Sequence, residues 1–225
     1  MIIRLPIGLL GSNCYIIFPE DHGEAAIVDP GITDRAPVDR VLQGHDLRLR
    51  YVLNTHGHFD HVLGNGLFVT ASVALGIHSS DRPLLMSGGG ASDFGFQIPS
   101  SPTPTLDLKE NTALTLIGPS GTTCCLSVIE TPGHTPGSIC LYVTPDAALI
   151  TGDTLFAGNV GRTDLPGGDP RALSTSLRKL LGLAPETQML PGHGDTTVLQ
   201  RELRVNPWLH RLSLTQRSGA RRPAN

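Results

Sequence analysis

Three imidazoles and a carboxylate fall within six residues in the stretch Thr55-His56-Gly57-His58-Phe59-Asp60-His61. Without a cation, such a cluster crowds ionisable groups into one small, partly dry space. Divalent first-row metals, zinc above all, accept this mixture of nitrogen and oxygen donors. The competing reading is a polar loop whose histidines cap a helix. Three further stretches offer donors. Thr131-Pro132-Gly133-His134-Thr135-Pro136-Gly137-Ser138 places His134 between two Pro-Gly turns, Thr151-Gly152-Asp153-Thr154-Leu155-Phe156 carries Asp153, and Pro191-Gly192-His193-Gly194 carries His193. Singly, each is an ordinary turn bearing a polar residue. Each nevertheless follows an apolar run, and the neighbouring glycines let the backbone bend sharply. The same pattern at four strand ends points to one shared site.

The elements that must hold these loops are legible in the hydrophobic pattern. Leu49–Leu53 reads as the strand delivering the histidine cluster. Strands are also expected at Ala113–Ile117, Cys124–Ile129, Ser138–Val143 and Ala147–Ile150, with a short one at Met189-Leu190. Asn13–Phe18 and Glu24–Asp29 read as two strands joined by a turn at Asp21-His22-Gly23, ending in the turn signal Asp29-Pro30-Gly31. Helices are expected from about Asp34 to Gln43, from Val62 to Leu75, and from Pro170 to Leu181, where Asp169 is the N-cap and Pro170 the first helical residue. A last helix is expected over roughly Thr197 to Leu212, interrupted by Pro207. Residues 79–105, with a Ser-Gly-Gly-Gly run and three prolines in 99–104, form the least regular stretch. They are read as a flap near the substrate opening or else a plain mobile surface loop.

With 225 residues and no composition break, one domain over 1–216 and a loose basic tail over 217–225 are expected. The net charge of −3 gives no general attraction to nucleic acid or anionic lipid. No apolar run is long enough to span a membrane, and Met1–Ile7 does not have the layout of an export signal. Cys14, Cys124, Cys125 and Cys140 lie in apolar runs without Cys-x-x-Cys spacing and read as small hydrophobes in a reducing compartment. A cytoplasmic location is the expectation. His22, His45, His78 and His210 have no ligand context and read as structural or surface residues.

Together, THGHFDH, TPGHTPGS, GDTLF and PGHG resemble the metallo-β-lactamase superfamily, and within it the glyoxalase II-like thioesterases. The NCYIIF and VDPG segments are similar to that subgroup as well. The likeness runs from about residue 10 to about residue 210. It implies an α/β four-layer αβ/βα sandwich of two mixed sheets, with a dinuclear metal centre at their shared edge. Carried over by position, it implies that His56, His58 and His134 hold one metal, that Asp60, His61 and His193 hold the other, and that Asp153 bridges them. Asp29 would orient a ligand or loop from behind. The metals are expected to be two divalent ions, zinc first, with iron or manganese also compatible.

Two cations sharing a water would supply hydroxide at neutral pH to attack a carbonyl carbon, and Asp60 would steer its proton. Thioesters suit such a site because a thiolate leaves without a strong acid. The expected partner is therefore a small-molecule thioester, first of all a hydroxyacyl-glutathione. The longer glyoxalase II enzymes hold glutathione with a C-terminal helical domain. This chain ends soon after His193, and its Glu202–Pro207 segment resembles the shorter bacterial type. Arg162, in Gly161-Arg162-Thr163-Asp164, would meet a substrate carboxylate or else pair with Asp164 or Asp169. The alternatives are a mononuclear-iron persulfide dioxygenase, which shares GRTD, and a lactonase or other acyl hydrolase on the same scaffold.

Overall fold

In the computed structural model, which describes residues 1–212, strand alternation sorts the apolar side chains onto three cores. The first sheet runs β1 (Ile2–Leu5), β2 (Cys14–Ile17), β3 (Glu24–Val28), β4 (Arg48–Leu53), β5 (Ala74–Ile77) and β6 (Leu106–Asp107) in spatial order. β1, β2 and β3 pair antiparallel, and β3 to β6 pair parallel. The second sheet has the order β14 (Thr197–Val198), β13 (Gln188–Pro191), β10 (Ala148–Gly152), β9 (Ile139–Thr144), β8 (Thr123–Glu130) and β7 (Ala113–Ile117). Only β10 and β13 pair parallel there. A separate hairpin is formed by β11 (Leu155–Phe156) and β12 (Asn159–Val160).

Along β2, Tyr15 and Ile17 face the second sheet and meet Leu126, Val128, Leu141 and Ile150. Cys14 and Ile16, one residue out of phase, face a layer built from α1 (Ala36–Gly44), α2 (Phe59–Val62), α3 (Asn65–Phe68) and α4 (Arg82–Met86), contributing Val38, Val62, Phe68 and Leu85. On the far side, Leu149 and Met189 pack against Leu173, Leu177 and Leu180 of α5 (Pro170–Leu180) and Leu199 of α6 (Leu199–Val205). The layering is therefore helix, sheet, sheet, helix, as expected. Cys14, Cys124 and Cys140 are buried among apolar neighbours, and all four cysteines are free. Among the described residues, no helix is long and apolar enough to cross a membrane.

The helix expected over Val62–Leu75 is not formed. Two one-turn helices, α2 and α3, replace its first half, and Ala74–Ile77 is a central strand in register with β4. Gly64 explains the break. Its amide donates to Pro30 O at 2.7 Å, and a side chain there would collide with the Pro30 and Ile32 carbonyls. Residues 79–105 are more ordered than expected: 3-10 turns at Ser79–Asp81 and Ala91–Phe94 flank α4. The final helix is broken where Pro207 predicts, with α6 ending at Val205 and helical backbone resuming at 207. The tail expected at 217–225 lies outside the described residues. β1 and the β11–β12 hairpin had no counterpart in the sequence reading.

Candidate metal centre

The four donor loops and Asp29 all leave the C-terminal ends of strands, in the crevice where the two sheets meet. β4 ends in His56–His61, β8 leads to His134, β10 to Asp153, β13 to His193, and β3 to Asp29. Thr55 O, accepting from Ile139 N at 2.9 Å, ties the two sheets at this edge. All seven donor residues converge there. The donor atoms of His56, His58 and His134 lie within 4.8 Å of one another, as do those of Asp60, His61 and His193. Asp153 stands between the groups, Oδ1 3.5 Å from His61 Nε2 and Oδ2 3.5 Å from His134 Nε2 and 3.7 Å from His193 Nε2.

Hydrogen bonds behind the rings settle which nitrogen His56, His61 and His134 present. The Thr55 hydroxyl gives its proton to Asp29 Oδ2 at 2.6 Å, so it accepts from His56 Nδ1–H at 3.1 Å. His56 Nε2 is then a bare lone pair, and it is buried with no hydrogen-bond partner. His134 Nδ1 donates to the Arg162 carbonyl at 2.8 Å, which frees its Nε2 to face His58 Nδ1 at 2.9 Å. His61 Nδ1 donates to Asp29 Oδ2 at 3.1 Å, and its Nε2 faces His193 Nε2 at 3.2 Å. Asp153 Oδ1 is a second buried atom without a partner. Orphaned buried donors aimed at one another fit a cation and are costly without one.

Asp29, with His56 and His61, forms a third geometrically compact group. Its two oxygens are already occupied by Thr55 N at 2.8 Å, the Thr55 hydroxyl and His61 Nδ1, so it sits behind the two donor clusters rather than among them. Its φ of 51° is the left-handed turn that aims the carboxylate inward, a conformation aspartate tolerates better than most residues. Asn in its place keeps one acceptor and loses the other. We expect Asp29→Asn to weaken metal binding about 10–100-fold, measured by competition with a chromogenic chelator. Unchanged affinity would show that the three hydrogen bonds do not tune the site.

The charges follow from this crowding. Burial, then the neighbouring imidazoles, pushes His56 far below the ordinary histidine range, and the same causes bring His58 down to about 3. Burial opposes a proton on His61, but the Asp153, Asp60 and Asp29 carboxylates outweigh it and raise its pKa to about 10. Burial likewise opposes charge on Asp60. The adjacent His61 and the hydrogen bond from His193 overcome it and hold Asp60 at about 2. In the metal-free protein the second cluster is thus a proton-bridged carboxylate–imidazole group. In the first, His56 and His58 are held neutral.

Several residues that build the site gave no local signal. Asp81, fully buried, accepts from Gly57 N at 2.8 Å, Gly137 N at 2.6 Å and the Thr135 hydroxyl at 2.6 Å. One carboxylate therefore fastens the His56–His61 loop to the loop carrying His134. Asn13, also fully buried, donates to Pro191 O at 2.8 Å and Gly194 O at 3.0 Å, while Arg4 binds Asn13 Oδ1 at 2.9 Å and Gly194 O at 2.8 Å. The Ser12 hydroxyl donates to Asp60 O at 2.6 Å. The start of β2 thus straps both loops of the second cluster. The Glu202–Pro207 segment has a comparable task. Glu202 accepts from Gly158 N at 2.7 Å and the Thr197 hydroxyl at 2.7 Å, and Asn206 donates to Asn159 O at 3.0 Å. Together they hold the β11–β12 hairpin that forms one wall of the site.

The cleft over the two clusters has a volume of about 360 Å³ and reaches Arg162. The Arg162 guanidinium makes a two-pronged pair with Asp164 at 2.7 and 2.8 Å, the structural alternative raised for it from sequence. Of the four histidines read as structural, His22 and His45 stack around Phe18 at 5.5 and 5.1 Å, and His78 meets Glu130 at 3.1 Å.

Comparison with known proteins agrees with this geometry. The chain is 33% identical to the hydroxyacylglutathione hydrolase GloC of Haemophilus influenzae, over 92% of this chain and 96% of that one. Among solved structures, it superposes on the B3 metallo-β-lactamase BLEG-1 with a TM-score of 0.82 and 34% identity, covering 93% of this chain and 99% of that one. It superposes on TTHA1623, determined in a di-iron-bound form, with a TM-score of 0.81 and 35% identity over 92% of this chain and all of that one. The family model of the metallo-β-lactamase superfamily matches residues 7–193, a span that holds every donor loop, and the chain belongs to that superfamily.

Proposed function

We propose that this protein is a metal-dependent thioester hydrolase of the glyoxalase II type, with hydroxyacyl-glutathione thioesters as the first substrates to test. The observation that carries the reading is the position of Asp153, one carboxylate facing two complete donor clusters. The similarity to GloC supports the choice of thioester.

In this reading His56, His58 and His134 hold one divalent cation, Asp60, His61 and His193 hold a second, and Asp153 serves both. Bound there, such ions supply a nucleophilic water at neutral pH and an electrophilic pull on a carbonyl oxygen. The chain's own residues do the rest. Asp29 and the Arg162 carbonyl fix the tautomers of His61 and His134, so that lone pairs rather than N–H groups face the cleft. Asp60 Oδ2, 3.1 Å from His193 Nε2, is placed to take a proton from an attacking water. Phe59, Phe156 and Val160 line the cleft and limit competing solvent. No serine or cysteine nucleophile is required. Both zinc and iron suit these donors, and the di-iron form of TTHA1623 makes iron the first alternative to zinc.

Hydrolysis of S-lactoylglutathione by protein reconstituted with zinc or iron should be chelator-sensitive and well above the buffer rate. Absence of turnover in protein shown to hold two metal equivalents would sink the reading for glutathione thioesters. The likeness to BLEG-1 favours β-lactam opening as a second reading, so a chromogenic cephalosporin belongs in the same assay.

A further inference from the structure

We infer that the mouth of this site is a hydrocarbon-binding collar, so that the preferred substrate carries an aliphatic or aromatic arm beside its scissile carbonyl. This narrows the hydrolase reading above and rests on it for the reaction. The collar is visible in the cleft lining. Leu10, Phe59, Phe94, Phe156, Val160 and Leu165 surround the metal-facing donors. The Phe94 and Phe96 rings lie 5.6 and 5.4 Å from the Phe59 ring, yet remain 46% and 39% exposed. Leu10, on the loop before β2, is 59% exposed. Large apolar side chains gathered at an opening and left in water are the usual mark of a surface that an apolar ligand covers.

The collar is fastened rather than incidental. Phe59 N donates to Gly89 O at 3.0 Å, and Gly89 has φ of 62°, a left-handed conformation glycine adopts freely. A side chain at Gly89 would overlap the Phe59 backbone. The glycine run in residues 88–90 thus presses the segment bearing Phe94 and Phe96 against the residue that precedes Asp60.

The charges point the same way. Among the described residues, Arg162 is the only Lys or Arg side chain lining the cleft, and Asp164 occupies its fork. A substrate carboxylate would have to displace a partner held two residues away in the same chain, whereas a hydrocarbon arm displaces only water from Leu10, Phe94 and Phe156.

Two series on the metal-loaded protein test the collar. The first is kcat/KM for acyl thioesters of N-acetylcysteamine from acetyl to hexanoyl. The second is calorimetric affinity for alkyl hydroxamates of the same lengths, which needs no turnover. Both should rise about fourfold per methylene in the wild type, and the hexanoyl-to-acetyl ratio should collapse toward one in Phe94→Ala/Phe96→Ala. A steep hydroxamate series without thioester cleavage would uphold the collar and refute the thioesterase reading. A hydroxamate series flat with chain length in the wild type would overturn the collar, whatever the thioesters do.

Discussion

Asp153→Ala is expected to lower thioester turnover by about a thousandfold and to release bound metal at the same time. The reason is position. Among the described residues, its oxygens are the only carboxylate atoms within 3.7 Å of imidazoles from both clusters: His61 and His193 on one side and His134 on the other. Oδ1 is buried and has no hydrogen-bond partner, and its charge is balanced by the His61 imidazole 3.5 Å away, whose pKa it helps to raise. Removing it should leave the fold intact while lowering the pKa of His61. Metal analysis after dialysis, run beside circular dichroism, separates these effects. A variant that kept wild-type turnover and two metal equivalents would show that the two clusters do not share this carboxylate.

The second large effect is expected away from the cleft. Asp81→Ala removes one buried carboxylate, strands two donors, Gly57 N and Gly137 N, and leaves the Thr135 hydroxyl only the Ser138 hydroxyl at 2.7 Å. Each buried group left unpaired costs about 1–3 kcal/mol, so a loss of about 3 kcal/mol or more is expected. For a chain of this length that lowers Tm by about 6 °C or more. Metal affinity should fall with it, about 10–100-fold, because the loops carrying His56, His58 and His134 lose their common anchor. Asp81→Asn retains one carbonyl acceptor and should recover part of both losses. If stability fell while metal affinity held, Asp81 would be a structural residue with no share in forming the centre.

The contrast between these two aspartates shows what was legible in the chain beforehand. Asp153 stands in a Thr-Gly-Asp turn after an apolar strand, so its exposure at a strand end could be read from local pattern alone. Asp81 stands among serines in an irregular stretch, and its importance arises from two glycine amides 24 and 56 residues away. Nothing local encodes that. The same division runs through the fold. Strands with clear patterning, such as Ala113–Ile117, were legible to the residue. The stretch Val62–Leu75 has enough apolar residues to suggest a helix. Tertiary contacts decide otherwise: Gly64 docks against the Pro30 carbonyl, and Ala74–Ile77 completes a parallel ladder with β4. Phe94 illustrates the third kind of gap. Its segment reads from sequence as a flap or a plain surface loop, and only the packing against Phe59 reveals an aromatic wall.

The strap from Ser12 and Asn13 to the loops of the second cluster has a thermodynamic counterpart. His61 and His193 are 132 residues apart in the chain and belong to different sheets. A cation shared by them would act as a cross-link, closing a chain loop larger than most disulfides enclose. On the loop-entropy scale for such links, that corresponds to roughly 5 kcal/mol taken from the unfolded ensemble. The ion would then be a topological staple as well as a reagent, holding the two halves of the sandwich in register. Thermal unfolding would report its loss before any substrate was added.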